Sequence, residues 1–144
     1  MRSGNLVYVN GGFFSIGGQD RYAAAALDAL TGLATGWNPS PCCAGYVQSL
    51  AISGSNVFFG GEFSVMGGQN RKNLASVDVD TGLATEWDPN IDANTYYYGP
   101  QVSTVTISGN RVYVGGQFSA INGAPRGSLA ALTFPDEIFH ANFD

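Results

Sequence analysis

The stretch Ser53-Gly54-Ser55-Asn56-Val57-Phe58-Phe59-Gly60-Gly61-Glu62-Phe63 decides the reading of the chain. Its first four residues are turn chemistry, because glycine and asparagine tolerate positive φ. The Val-Phe-Phe run that follows is β-branched and aromatic, which suits a strand. The same design occurs again on both sides of it. At an offset of 50, Ser3 to Ser40 lies over Ser53 to Asn90 without a gap, and 18 of the 38 pairs are identical. They include Gly17-Gly18-Gln19, Arg21, Asp28, Thr31-Gly32-Leu33-Ala34-Thr35, Trp37 and Pro39. At an offset of 55, Ser53-Gly54, Val57, Gly60-Gly61, Phe63-Ser64, Arg71 and Leu74-Ala75 find partners in Ser108-Gly109, Val112, Gly115-Gly116, Phe118-Ser119, Arg126 and Leu129-Ala130. The extra residues fall after Pro89, in a connection, where an insertion does least harm.

Working outward, Val47, Leu50 and Ile52 form a short apolar strand pattern, matched by Val102, Val105 and Ile107. Leu74 to Val79 alternates as a third strand, Asp80-Thr81-Gly82 turns, and Leu83 to Trp87 reads as a fourth, stopped by Asp88-Pro89. A helix competes at Tyr22 to Leu30, whose alanines favour it. The copy at Lys72 to Asp80 contains Val77-Asp78-Val79, poor helix formers, so both copies read as strand. Four short strands in about 50 residues is the pattern of a propeller blade. The fold predicted is all-β, an incomplete β-propeller of about two and a half to three four-stranded antiparallel blades. The repeats span about 3–40, 47–90 and 102–134, within a repeat domain 1–134, and residues 135–144 form a C-terminal tail. The first repeat lacks its first strand and the third its last, so the repeats hold three, four and three strands. A closed propeller needs roughly 4–8 blades. The expectation is therefore a piece of a longer array or a self-associating chain, with strand edges near Leu6 to Val9 and Ala130 to Phe134 open to a second copy.

Composition agrees with many turns and few salt-bridged helices. Glycine is 20 of 144 residues, about twice the usual ~7 %. Charged residues are 12 %, about half the usual ~25 %. With a net charge of −5 and Lys72 the one lysine, the chain cannot build the basic face that meets phosphates, so no nucleic-acid partner is expected. The longest apolar run, Ala23 to Leu27, is far short of the ~20 residues a bilayer needs, so no membrane insertion is expected. Met1-Arg2-Ser3-Gly4 leads straight into a strand, without the apolar region of an export signal. Either the chain is cytosolic or its start lies upstream, and the truncated first repeat favours the second.

The run Val112-Tyr113-Val114-Gly115-Gly116 followed by Phe118 resembles the bacterial delta-60 repeat family of β-propeller repeats. So do Gly67-Gly68-Gln69 with Arg71, and Asp78 with Thr81-Gly82 and Trp87, whose spacing is also similar to a kelch blade. The resemblance runs from Ser3 to about Thr133. It implies a propeller-type fold in a bacterial extracellular or cell-surface protein, and it implies no general activity, catalytic residue or cofactor.

The repeated residues have scaffold readings beside functional ones. Arg21, Arg71 and Arg126 could bind anions, or could tie loop carbonyls with their fork of donors. Trp37 and Trp87 could stack on a sugar, or pack between blades. Asp28 and Asp78 could belong to a metal loop, but calcium wants 6–8 oxygens and Asp80 becomes Leu30 in the first repeat, so a turn-closing aspartate is expected and no metal site. Cys42-Cys43, after Pro39-Ser40-Pro41, has no counterpart in the next connection and could form a disulfide, remain free or bind metal. Tyr96-Tyr97-Tyr98 is the candidate ligand-binding feature, since three rings on a long connection bring area and polar tips. The single histidine, His140, leaves no Ser–His–Asp or Cys–His pairing, so no catalytic residues are expected. The Ile138 to Asp144 ending, Ile-Phe-His-Ala-Asn-Phe-Asp, is similar to short tails of some exported bacterial proteins, or is a closing strand. The expected function is a non-enzymatic secreted or cell-surface module, scaffold or binding surface for glycan or protein. The alternative is the propeller segment of a larger hydrolase or oxidase whose catalytic residues lie elsewhere.

Overall fold

The computed structural model describes residues 2–41, 46–92, 101–125 and 127–134. They are all-β, built of small antiparallel sheets, and no helix among them is long and apolar enough to cross a membrane. The first repeat forms β1 (Arg2–Ser3), β2 (Leu6–Asn10), β3 (Ser15–Ile16), β4 (Gln19–Asp20) and β5 (Ala24–Asp28). The second forms β6 (Tyr46–Ser53), β7 (Asn56–Glu62), β8 (Val65–Met66), β9 (Gln69–Asn70) and β10 (Leu74–Asp78). After β11 (Ile91–Asp92), the third forms β12 (Gln101–Ser108), β13 (Arg111–Gln117), β14 (Ala120–Ile121), β15 (Ala124–Pro125) and β16 (Leu129–Thr133). Three main sheets result, in the orders β1-β2-β5, β6-β7-β10 and β12-β13-β16. Register follows the sequence repeat: Leu6 faces Asp28 as Asn56 faces Asp78 and Arg111 faces Thr133.

Side chains alternate across each strand, so each sheet offers one face to the sheet before it and the other to the sheet after. Tyr8, Ala24 and Ala26 of the first sheet pack on Val57, Phe59, Ala75 and Val77 of the second. Ala51, Phe58 and Leu74, on the second sheet's other face, pack on Val112, Val114 and Ala130 of the third. These are two separate cores, and neither joins the first sheet to the third. The seams also match in detail. Tyr8 donates its hydroxyl to the Val79 carbonyl at 3.1 Å, and the Phe58 ring, one repeat on, lies 4.8 Å from Phe134, the counterpart of Val79.

The Gly-Gly and Asn-Gly pairs each turn a short hairpin. Gly17-Gly18, Gly67-Gly68 and Asn122-Gly123 all have positive φ at both positions, as a type I′ turn requires. They join β3 to β4, β8 to β9 and β14 to β15. A second recurring feature carries no glycine: Ala23, Asn73 and Ser128 occupy one repeat position with φ of 63°, 67° and 64°. At Asn73 the side chain supports that backbone, accepting from the Phe63 N–H at 3.2 Å and donating to the Ile91 carbonyl at 2.9 Å.

Several expectations need correction. The main sheets are three-stranded, not four-stranded, among the described residues. The predicted fourth strand, Leu83 to Trp87, is reduced to one bridge between Val77 and Ala84, with Leu27 and Ala34 doing the same in the first repeat. That bridge is made by the Thr85 N–H to the Ser76 carbonyl and the Asp78 N–H to the Leu83 carbonyl, while the Ala84 N–H goes to the Gly67 carbonyl and the Thr85 carbonyl to Arg71. With the Thr85 carbonyl taken by Arg71, the segment does not extend the ladder beyond that bridge. The first repeat does have a first strand, the two-residue β1. Leu6 to Val9 is consequently the middle of its sheet and not an open edge. Tyr22 to Leu30 contains strand β5 and no helix, as the copy argument predicted.

Candidate functional site

The repeated arginine, aspartate and tryptophan come together around the turn that closes each repeat. Arg21 donates through Nη1 to the Asp20 carbonyl at 2.7 Å and through Nη2 to the Thr35 carbonyl at 2.8 Å. Arg71 makes the same pair of bonds to Asn70 and Thr85, at the same distances. It also has Asp88 Oδ2 3.6 Å from Nη1, where the first repeat has Asn38. The Nε of both arginines is buried without a hydrogen-bond partner. These guanidinium groups bridge a hairpin to the segment after the turn.

Asp28 Oδ1 accepts from the N–H groups of Leu30 and Thr31, at 2.8 and 3.0 Å. Asp78 Oδ1 accepts from Asp80 and Thr81, both at 2.8 Å. The backbone N–H of Thr31 is the largest influence holding the Asp28 carboxyl below its ordinary value, and that of Thr81 does the same for Asp78. Each turn therefore stabilises the ionised carboxylate relative to the unfolded chain. That contribution is complete above the unfolded value of 3.8 and is lost as pH falls through the lower folded value. Urea midpoints should hold steady from pH 8 to 5 and fall below about pH 4. The double variant Asp28→Asn/Asp78→Asn keeps an acceptor but cannot titrate, and should show a shallower acid decline. An identical decline would refute the role of these two turns.

Trp37 leaves the turn to enter the first seam. Its ring stands edge-on to Tyr8 with centroids 5.0 Å apart, and lies 6.0 Å from Phe59. Its indole N–H donates to the Asp78 carbonyl at 3.0 Å, so the tryptophan of one repeat bonds the aspartate of the next. Trp87 repeats this in the second seam, 5.3 Å from Phe58 and 5.5 Å from Phe134, and donates to the Thr133 carbonyl at 3.2 Å. Trp37 is enclosed in its seam at 6 % exposed, whereas Trp87 is half-buried.

Arg126, Cys42, Cys43, Tyr96, Tyr97, Tyr98 and the 135–144 tail lie outside the described residues. Among the described residues, no three His, Cys, Asp or Glu side chains are grouped to hold a metal ion. What the sequence reading missed is the outer face of the third sheet, where Tyr113 and Leu129 are exposed. The signal was available: Tyr8, Phe58 and Tyr113 share one repeat position, and Ala24, Leu74 and Leu129 another. Position in the stack, not residue type, decides which copy is covered. A scan against protein-family models finds no match, and searches of curated proteins and of solved structures likewise return no similar protein.

Proposed function

We propose that the chain is a non-enzymatic β-propeller repeat module, secreted or at the cell surface, serving as a scaffold and as a binding surface for a glycan or protein. In this reading each three-stranded sheet is a blade, the fourth strand of the first two having shrunk to a bridge, and 56 % of the described residues are strand. The observation that supports it is the use made of the recurring residues. Arg21 and Arg71 tie carbonyls, Asp28 and Asp78 close turns, and Trp37 and Trp87 fill seams. Residues spent in this way make a frame, and leave recognition to the connections that differ between repeats, above all the one carrying Tyr96-Tyr97-Tyr98.

The test is a glycan array and a protein pull-down with the full chain, beside the triple variant Tyr96→Ser/Tyr97→Ser/Tyr98→Ser. The expected result is a ligand class whose affinity falls about tenfold or more in the variant, with an unchanged thermal melt. No ligand across the panel removes the binding role. Turnover of any panel member overturns the non-enzymatic reading.

A further inference from the structure

We propose that copies of this chain associate head to tail, the outer face of the third sheet docking on the outer face of the first sheet of the next copy. The chain already makes this contact twice within itself, through positions related by the repeat. The docking half is the face carrying Tyr8, Phe58 and Tyr113 in successive sheets. Tyr8 and Phe58 are 2 % and 1 % exposed because a following sheet covers them, whereas Tyr113 is 40 % exposed. Ala24 and Leu74 are fully buried, whereas Leu129, at the same position, is 73 % exposed. The third sheet thus presents the aromatic and aliphatic groups of a seam with no sheet of the described residues against them.

The receiving half is present at the other end. Val57, Phe59 and Val77 are fully buried on the face that the second sheet turns to the first, and Val112 and Val114 on the face that the third turns to the second. Their counterparts Val7, Val9 and Leu27 in the first sheet are only half-buried. The backbone acceptor of the seam is also in place. The N–H of Val79 bonds the Ser55 carbonyl at 2.8 Å, that of Phe134 bonds Asn110 at 2.8 Å, and that of Ala29 bonds Asn5 at 2.7 Å. Ala29 is therefore held as Val79 is, and its carbonyl is the acceptor for the Tyr113 hydroxyl of a preceding copy, as Val79 is for Tyr8. Unlike Phe58, Tyr113 keeps the hydroxyl this bond needs.

The occupant is a second copy because each face is the complement of the other and not of itself. The contact is consequently heterologous, and such contacts make rings when the rotation closes and open chains when it does not. It is weaker than the internal seams, since both tryptophans are already used there. Association should therefore depend on concentration. This inference is independent of any ligand.

Light scattering after size exclusion, on the full chain loaded from about 1 to about 500 µM, tests it. The wild-type mass should rise with concentration. Tyr113→Glu/Leu129→Glu disables one face and Val7→Glu/Val9→Glu the other, and each variant alone should stay monomeric. An equimolar mixture should return a species of two copies and no larger, since one good face of each kind remains. Circular dichroism must show both variants folded; should the valine changes melt the first sheet, Ala29→Glu disables the receiving face from beyond the strand. A wild-type chain that stays monomeric throughout overturns the proposal. So does an associating wild type whose folded variants fail to pair when mixed, which would indicate contact between like faces.

Discussion

Gly61→Ala should unfold the chain or come close to it, while Gly11→Ala, at the same position of the preceding repeat, should leave it intact. A Cβ on Gly61 would lie 2.2 Å from the Tyr46 carbonyl oxygen and 2.9 Å from the Val47 Cα. The obstacle is backbone, pressed inward where β6 shifts register between Val47 and Ser49. Overpacking typically costs about 1–3 kcal/mol and more where the obstacle cannot rotate away, a large part of the roughly 5–15 kcal/mol that holds a domain. Gly116 meets the same obstacle beside the irregularity between Val102 and Thr104, its Cβ falling 2.3 Å from the Gln101 carbonyl oxygen. Gly11 has no such neighbour, because its first strand is the two-residue β1. Its nearest contact is the Phe13 ring at 3.5 Å. Alanine there should be neutral or stabilising by up to about 1 kcal/mol, through lost freedom of the unfolded chain. Urea titration of the two variants decides the matter, and equal losses at both positions would refute the account.

Trp37→Ala should be the most damaging truncation of a side chain. It removes a ring seated between Tyr8 and Phe59 and the indole N–H bond to the Asp78 carbonyl, which is left with the Gly82 N–H as donor. Removal of a large buried aromatic typically costs about 3–5 kcal/mol. Trp87→Ala should cost less, because Trp87 is only partly buried while Trp37 is 6 % exposed. Denaturant midpoints give the order directly. A Trp87 variant less stable than the Trp37 variant would mean that the second seam, not the first, carries more of the fold.

Much of this was legible because the chain is its own comparison. One copy settled what the other left ambiguous: the alanines of 23–26 read as helix until Val77-Asp78-Val79 showed that the position must suit a strand. The gapless offset of 50 reappears in the structure as one shared register across β2–β5 and β7–β10. The failures have a common cause, namely competition for backbone groups. Leu83 to Trp87 has strand-like residues and bonds β10 on either side of one bridge, but Arg71 claims the Thr85 carbonyl that the next ladder bond would use. The short hairpins were themselves announced by Gly17-Gly18 and Gly67-Gly68, which the repeat match absorbed as mere identities, and by Asn122-Gly123 at the same position. The meaning of Tyr113 and Leu129 was hidden for a different reason. Nothing in a residue says whether a neighbouring sheet covers it; only its place in the order does.

That the molecule has two cores in series, rather than one shared by all three sheets, also sets how it would bear a load. Pulled from its ends, the chain transmits tension from sheet to sheet through each seam in turn, and among the described residues neither core joins the first sheet to the third to share it. The weaker seam therefore sets the strength of the whole, and rupture proceeds as separate steps of roughly one repeat's length. A stack of this kind yields gradually, as a fastening of several hooks does, and longer assemblies of copies would extend farther before failing without becoming any stronger.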